Sequence, residues 1–299
     1  MSRKQTTVSL GQHATHTLDQ MIRAAAQHGF ADLELVYSDL SAYAETNGLS
    51  MSTAAEDIRE LCAKNNVAVI SLAPFENFDG SSMPLEKRLE IARHWIGIAT
   101  KLGALYLQIP SHYKADESAG DETTRISDLQ KLADIGSAEQ PVVSIAYEAL
   151  SWGIHYSTWE DSLYVVEKVN RPNFGLCLDN FHVITKLWAS AFEPSGKKGF
   201  RDHCPLDKIF YLQFSDGELF DPPSQTNNRG IWKARRRSLP GRSMLVRFRW
   251  SRNWSGFEGW VLLEIFDRRM RDERFRVESA AARGRESWKK LKEELESKA

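Results

Sequence analysis

Eight short apolar runs, separated by amphipathic or polar stretches, constrain this chain more than any other feature. They are TTVSL (6–10), DLELVY (32–37), VAVISLAPF (67–75), ALYLQIP (104–110), VVSIAYEAL (142–150), FGLCLDNF (174–181), IFYLQFSD (209–216) and WVLLEIF (260–266). Most of them are too apolar for a sheet with one wet face, so both faces of the sheet must be covered. Strand-like and helix-like signals alternate rather than cluster, which predicts a parallel α/β architecture. Between the runs the clearest helix is PLEKRLEIARHWIGIATKLG (84–103). There Leu85, Leu89, Ala92, Trp95, Ile96, Ala99 and Leu102 recur at helical spacing, Pro84 suits the first turn and Gly103 the end. Gly29 and Asn66 sit where helices give way to strands, and Thr53 with Glu56 has capping-box spacing ahead of DIRELCAKN. The last segment, VESAAARGRESWKKLKEELESKA, reads as a closing helix. With 299 residues and 42% hydrophobic side chains, the chain is expected to form one domain, residues 1–299, as a single (β/α)8 barrel.

One stretch breaks the alternation. Residues 217–259 should hold a crossover helix between strands seven and eight, yet they contain turn formers, a basic cluster and no apolar stripe. The expectation is a barrel lacking a regular helix at that point. The cluster, Lys233, Arg235, Arg236, Arg237, Arg242, Arg247 and Arg249, is compatible with phosphate binding, but few aromatic residues are interleaved with it and a solvated loop is the expected state.

Composition excludes several classes of partner. A formal net charge of −1 gives no global attraction to nucleic acid or to an acidic membrane surface, and no nucleic-acid partner is expected. No apolar run approaches the roughly 20 residues of a bilayer span, and MSRKQTTVSLGQ has no apolar signal core, so a soluble cytoplasmic protein is expected. Three widely spaced cysteines, Cys62, Cys177 and Cys204, suggest neither a disulfide framework nor a thiolate zinc site. The sequence leaves open whether the chain assembles as a homo-oligomer.

Function is concentrated in four polar residues, Glu148, Asp179, Gln213 and Glu264, each in the second half of an apolar run. The first two intervals, 31 residues (179 − 148) and 34 residues (213 − 179), each fit one strand–helix unit. If the runs are consecutive parallel strands, these side chains converge on the mouth where such barrels keep their active sites. Three carboxylates and an amide form a hard-oxygen set, suited to Mg²⁺, Mn²⁺ or a similar octahedral divalent ion, with positions left for substrate or water. His182, three residues after Asp179, is the first candidate for proton transfer, with a ligand-orienting role as its alternative. His155, on the loop after strand five, is a weaker catalytic candidate. Glu34 points to the mouth if the register of strand two holds and then meets substrate hydroxyls; otherwise it belongs to an internal ion pair. Tyr113 and its neighbour His112 are candidates for lining the site from strand four. Arg252, in WSRN, suits a bidentate clamp on a substrate carboxylate.

The strings YEALSWGIHYSTWE, RPNFGLCLDNFHV, KIFYLQFSDGELFDPP, WSRN and GFEGWVLLEIFDRRM together resemble the 3-dehydroshikimate dehydratases of quinate and shikimate breakdown, above all the fungal type. These enzymes sit within the xylose-isomerase-like barrels of the sugar phosphate isomerase/epimerase superfamily, and the resemblance runs from about LGQHATHTLDQ to the end. It implies a hydro-lyase that turns the small molecule 3-dehydroshikimate, or a related polyhydroxy ketone, into protocatechuate with Mg²⁺, Mn²⁺ or Co²⁺. It also implies that Glu148, Asp179, Gln213 and Glu264 are metal ligands, that His182 transfers protons and that Glu34 is the acidic residue of strand two. The chain departs from the family where no histidine follows His203 and where Trp254 passes almost directly to GFEGW, so a helix is expected to be missing. A sugar or inosose isomerase, epimerase or dehydratase on the same barrel is the nearest alternative, followed by a catalytically silent binding protein and then by a nuclease.

Overall fold

A computed structural model describes residues 5–7, 10–187, 204–217, 237–238, 257–264 and 268–296. Eight parallel strands close into a barrel: β1 (Gln5–Thr7), β2 (Asp32–Val36), β3 (Ala68–Ala73), β4 (Tyr106–Pro110), β5 (Ser144–Glu148), β6 (Phe174–Asp179), β7 (Ile209–Phe214) and β8 (Trp260–Leu263). Each strand pairs with its neighbour in sequence, and β1 closes the ring against β8 through Gln5↔Val261 and Thr7↔Leu263. The described helices are α1 (Leu18–Gln27), α2 (Tyr37–Asn47), α3 (Met51–Lys64), α4 (Leu85–Leu102), α5 (Glu122–Ser137), α6 (Trp159–Val169), α7 (Asn180–Leu187) and α8 (Val277–Glu296).

The sequence rules account for most element boundaries. Gly29 (φ 76°) and Gly103 (φ 73°) end their helices in the left-handed region, where a Cβ is disfavoured, and Asn66 (φ 55°) follows the end of α3. One expectation is corrected. Helix α3 starts before Thr53, because the Ser50 side chain accepts from the Thr53 backbone N–H at 3.1 Å and so caps the helix three residues earlier. Glu56 is instead drawn to Lys101 on α4.

Two apolar layers form. The larger packs the helices against the outside of the barrel; the smaller, Ile70, Ala146, Cys177, Tyr211 and Leu262, fills its axis, with Val36, Tyr106, Phe210 and Trp260 against it. Strand side chains alternate with period two, so on β4 to β8 the residue two places beyond an axial residue also faces inward, while on β3 a register shift against β2 breaks the alternation after Ile70. Beyond Ala146 comes Glu148, beyond Cys177 Asp179, beyond Tyr211 Gln213, beyond Leu262 Glu264 and beyond Tyr106 Gln108. The polar ring is thus the next layer toward the C-terminal end of the strands.

After β7, Asp216–Gly217 pairs antiparallel with Arg237–Ser238. Of the stretch expected to lack its helix, residues 218–236 and 239–256, Arg252 among them, lie outside the described residues.

Candidate metal centre and active site

Glu148, Asp179 and His182 come together at the C-terminal mouth, each offering a ligand atom within 4.8 Å of the others. All three are buried, at 5%, 1% and 3% exposure, which matters because removing two carboxylates from water demands a compensating cation or strong hydrogen bonds. Each carboxylate is held by one oxygen and presents the other. Glu148 Oε2 accepts from Gln108 Nε2 at 2.6 Å, while Oε1 lies 3.5 Å from His182 Nε2. Asp179 Oδ1 accepts from the Phe181 backbone N–H at 2.8 Å and from Ser215 Oγ at 3.0 Å, while Oδ2 lies 3.6 Å from His182 Nε2.

Two donors about 2.1 Å from one ion on opposite sides are about 4.2 Å apart, so this group has the span of a divalent-ion site. Gln213 belongs beside it by register, paired with Asp179 on β6 and with Leu262 on β8. Glu264 follows directly after β8, its backbone N–H donating to Phe214 O at 3.0 Å, and it is not a member of the 4.8 Å group.

His182 occupies the first turn of α7. Its Nδ1 faces Ser151, whose backbone N–H approaches at 3.3 Å and whose Oγ lies at 3.4 Å. The Trp152 ring meets the imidazole edge-on at a centroid distance of 4.6 Å, and Phe181 does so at 5.4 Å. The imidazole is therefore fixed in orientation with Nε2 turned to the acids.

The remaining sequence candidates fall elsewhere. Both Glu34 carboxylate oxygens are occupied inside the barrel, Oε2 by the Tyr211 hydroxyl and Oε1 by Gln213 Nε2, each at 2.6 Å. Glu34, expected either to meet substrate hydroxyls or to join an internal ion pair, is thus engaged by a hydroxyl and an amide. Burial raises the Glu34 pKa above the ordinary carboxylate range, against the hydrogen bonds from Tyr211, Ser71 and Gln213.

His155 is exposed and pairs through Nε2 with Ser118 Oγ at 2.8 Å, apart from the acidic group. Its pKa is lowered by partial desolvation and by the nearby Arg125 and His112. Tyr113 is half-buried on the loop after β4, where its N–H donates to Asn77 Oδ1 at 3.1 Å; burial and the Glu76 carboxylate push its hydroxyl up to about 12. His112 is structural, its ring nitrogens meeting Asp79 O at 3.0 Å and Lys114 O at 2.9 Å.

Gln108 escaped sequence reasoning although it obeys the same rule as its neighbours, a polar residue in the second half of an apolar run, ALYLQIP. An amide among acids did not stand out. Ser151 and Ser215 carry no sequence signal at all.

Residues 22–291 match the family model described as the xylose isomerase-like TIM barrel. The chain is 32% identical to a 3-dehydroshikimate dehydratase of Neurospora crassa over 346 aligned positions, covering 96% of this chain and 92% of the relative. Those positions outnumber the 299 residues here, so the fungal relative carries residues with no counterpart in this chain. A 3-dehydroshikimate dehydratase of Pseudomonas putida is 30% identical over 270 residues, 89% of this chain; the chain spans 38% of that longer relative. Among solved structures, a xylose isomerase-like TIM barrel/4-hydroxyphenylpyruvate dioxygenase fusion protein superposes with a TM-score of 0.80 at 26% identity, over 99% of this chain and 44% of that one.

Proposed function

The chain belongs to the xylose isomerase-like TIM barrel family, and from that premise we propose that it is a metal-dependent 3-dehydroshikimate dehydratase, a hydro-lyase producing protocatechuate. The observation that carries this reading is the buried Glu148–Asp179–His182 group at the barrel mouth, in a chain similar over nearly its whole length to a fungal dehydratase of that name.

In this reading Glu148, Asp179, Gln213 and Glu264 hold a divalent ion, Mg²⁺, Mn²⁺ or Co²⁺. When bound, the ion supplies Lewis-acid stabilisation of negative charge on a substrate oxygen. The protein supplies the proton path. Loss of water from a hydroxyketone removes a proton from the carbon beside the carbonyl and expels hydroxide from the next carbon; the two leave together as one water molecule. His182 Nε2 can take the first proton and return it to the departing hydroxyl. As a base at Nε2 the ring carries its own proton on Nδ1 before and after the transfer, and Ser151 Oγ, 3.4 Å from Nδ1, is the acceptor for it. Trp152 and Phe181 exclude water from the imidazole flank. A proton shift from the remaining ring CH2 to the carbonyl oxygen then completes the aromatic ring, which makes the product side strongly favoured.

The test is ultraviolet spectroscopy of the purified protein with 3-dehydroshikimate, first with Mn²⁺ or Mg²⁺ and then with chelator. Growth of protocatechuate absorbance that stops on chelation is expected. Metal-loaded, folded protein that releases no aromatic product, or that isomerises a sugar instead, would refute the assignment.

A further inference from the structure

Gln213 is the one amide among the proposed ligands, and an amide can bind a cation only through its oxygen. Its NH₂ group must therefore find an acceptor on the side away from the ion, or the group flips and turns its donors toward the metal. In this barrel the acceptor is Glu34. Both residues are 3% exposed, and Gln213 Nε2 lies 2.6 Å from Glu34 Oε1. The other Glu34 oxygen accepts from the Tyr211 hydroxyl at 2.6 Å, and that hydroxyl lies 3.1 Å from Ser71 Oγ. The Cys177 thiol, a weak donor, approaches Gln213 Oε1 at 3.2 Å and is the remaining polar contact of the amide among the described residues.

Resting on the metal-site reading above, we propose that Glu34 is a positioning residue that fixes the Gln213 amide with its oxygen toward the ion. The amide nitrogen is committed to Glu34 Oε1, which leaves the amide oxygen as the atom a cation can take. Glu34 thus orients the fourth ligand without touching substrate or metal.

Metal affinity of the full chain, titrated calorimetrically with Mn²⁺, tests this independently of turnover. Glu34→Gln keeps an acceptor for Gln213 and offers its own NH₂ to the Tyr211 oxygen, whose proton can pass to Ser71; it is expected to bind Mn²⁺ within about threefold of the parent. Glu34→Asp keeps the charge but withdraws the acceptor by one methylene, and Glu34→Leu removes it; both are expected to lose about 10- to 100-fold in affinity, the range for lost supporting contacts to a metal ligand. That order is the reverse of what a purely electrostatic role would give. In a Gln213→Leu background, Glu34→Leu should cost no further affinity, because it acts through the amide. Equal binding by the parent, Glu34→Asp and Glu34→Leu, or a loss in Glu34→Gln matching that in Glu34→Leu, would overturn the proposal. Failure of the parent itself to bind Mn²⁺ would overturn the metal-site reading instead. If Glu34→Leu does not fold, the Asp and Gln variants, whose thermal unfolding reports their folded state, still decide the order.

Discussion

At the scale of single residues, the division of labour between Asp179 and His182 is the sharpest claim. Asp179 has one oxygen fixed by the Phe181 N–H and Ser215, as suits a ligand, whereas His182 is backed by Ser151, as suits a group that changes protonation. His182→Ala should therefore lower kcat by about a hundredfold or more while changing Mn²⁺ affinity by only a few fold. Equal losses of both in steady-state kinetics and metal titration would make His182 a ligand. Gln108→Leu should do the opposite. It releases Glu148 Oε2, so Mn²⁺ affinity should fall about tenfold or more, with partial recovery of rate at saturating metal. Much of this site was legible in the sequence, because the period of two along each strand turns a polar residue after an apolar run into an inward-facing one. Glu148 and Asp179 face the same mouth as that pattern required, and His182 joins them from the first turn of α7, three residues after Asp179. The period says nothing about which groups engage an inward-facing acid, and so the sequence left Glu34 between a substrate contact and an internal ion pair, where the structure gives it the Tyr211 hydroxyl and the Gln213 amide.

At the scale of elements, helix α6 shows how the loop carrying His155 is delimited. Thr158 and Asp161 form a reciprocal cap: the Asp161 N–H donates to Thr158 Oγ1 at 3.1 Å, and Asp161 Oδ2 accepts from the Thr158 and Ser157 backbones at 3.0 and 2.7 Å. Asp161→Ala removes two of these bonds and should destabilise the fold by about 1–2 kcal/mol, with kcat of the folded enzyme unchanged. Denaturant titration beside a rate assay measures both, and a fall in kcat without a shift in midpoint would place Asp161 in the chemistry. Strands and long helices were readable because burial on both faces forces continuous apolar runs, and because Leu89, Ala92, Ile96 and Ala99 sit on one stripe of α4. Caps were harder to read. Thr53–Glu56 and Ser50–Thr53 are both plausible starts for α3, and only the fold decides, by drawing Glu56 away to Lys101.

At the scale of the whole molecule, pH stability is expected to turn on a residue that is not among the proposed metal ligands. Asp79, on the loop between β3 and α4, is 0% exposed, and neither carboxylate oxygen meets a hydrogen-bond partner on another described residue. The loop is pinned around it by the buried Arg88–Asp128 pair at 2.6 Å, by the Gly80 N–H to Asp128 Oδ2 at 3.0 Å and by His112 on the Asp79 carbonyl. Burial raises the Asp79 carboxyl from 3.8 to about 7; Asp128 adds to the rise, while its own backbone, Arg125 and Arg88 oppose it. Between those two values the folded chain binds a proton at this site that the unfolded chain has released, so stability falls as pH rises through that window. The contribution is fully present below about pH 4 and lost above about pH 7. Asp79→Asn is neutral at every pH and nearly the same shape. It should match the parent in thermal unfolding near pH 4 and exceed it at pH 8, by an amount on the order of a few kcal/mol. A stability difference that stays constant across this range would show that Asp79 does not ionise within it. Such a result would also mean that the Arg125 and Arg88 charges compensate the buried carboxylate more fully than its missing hydrogen bonds suggest.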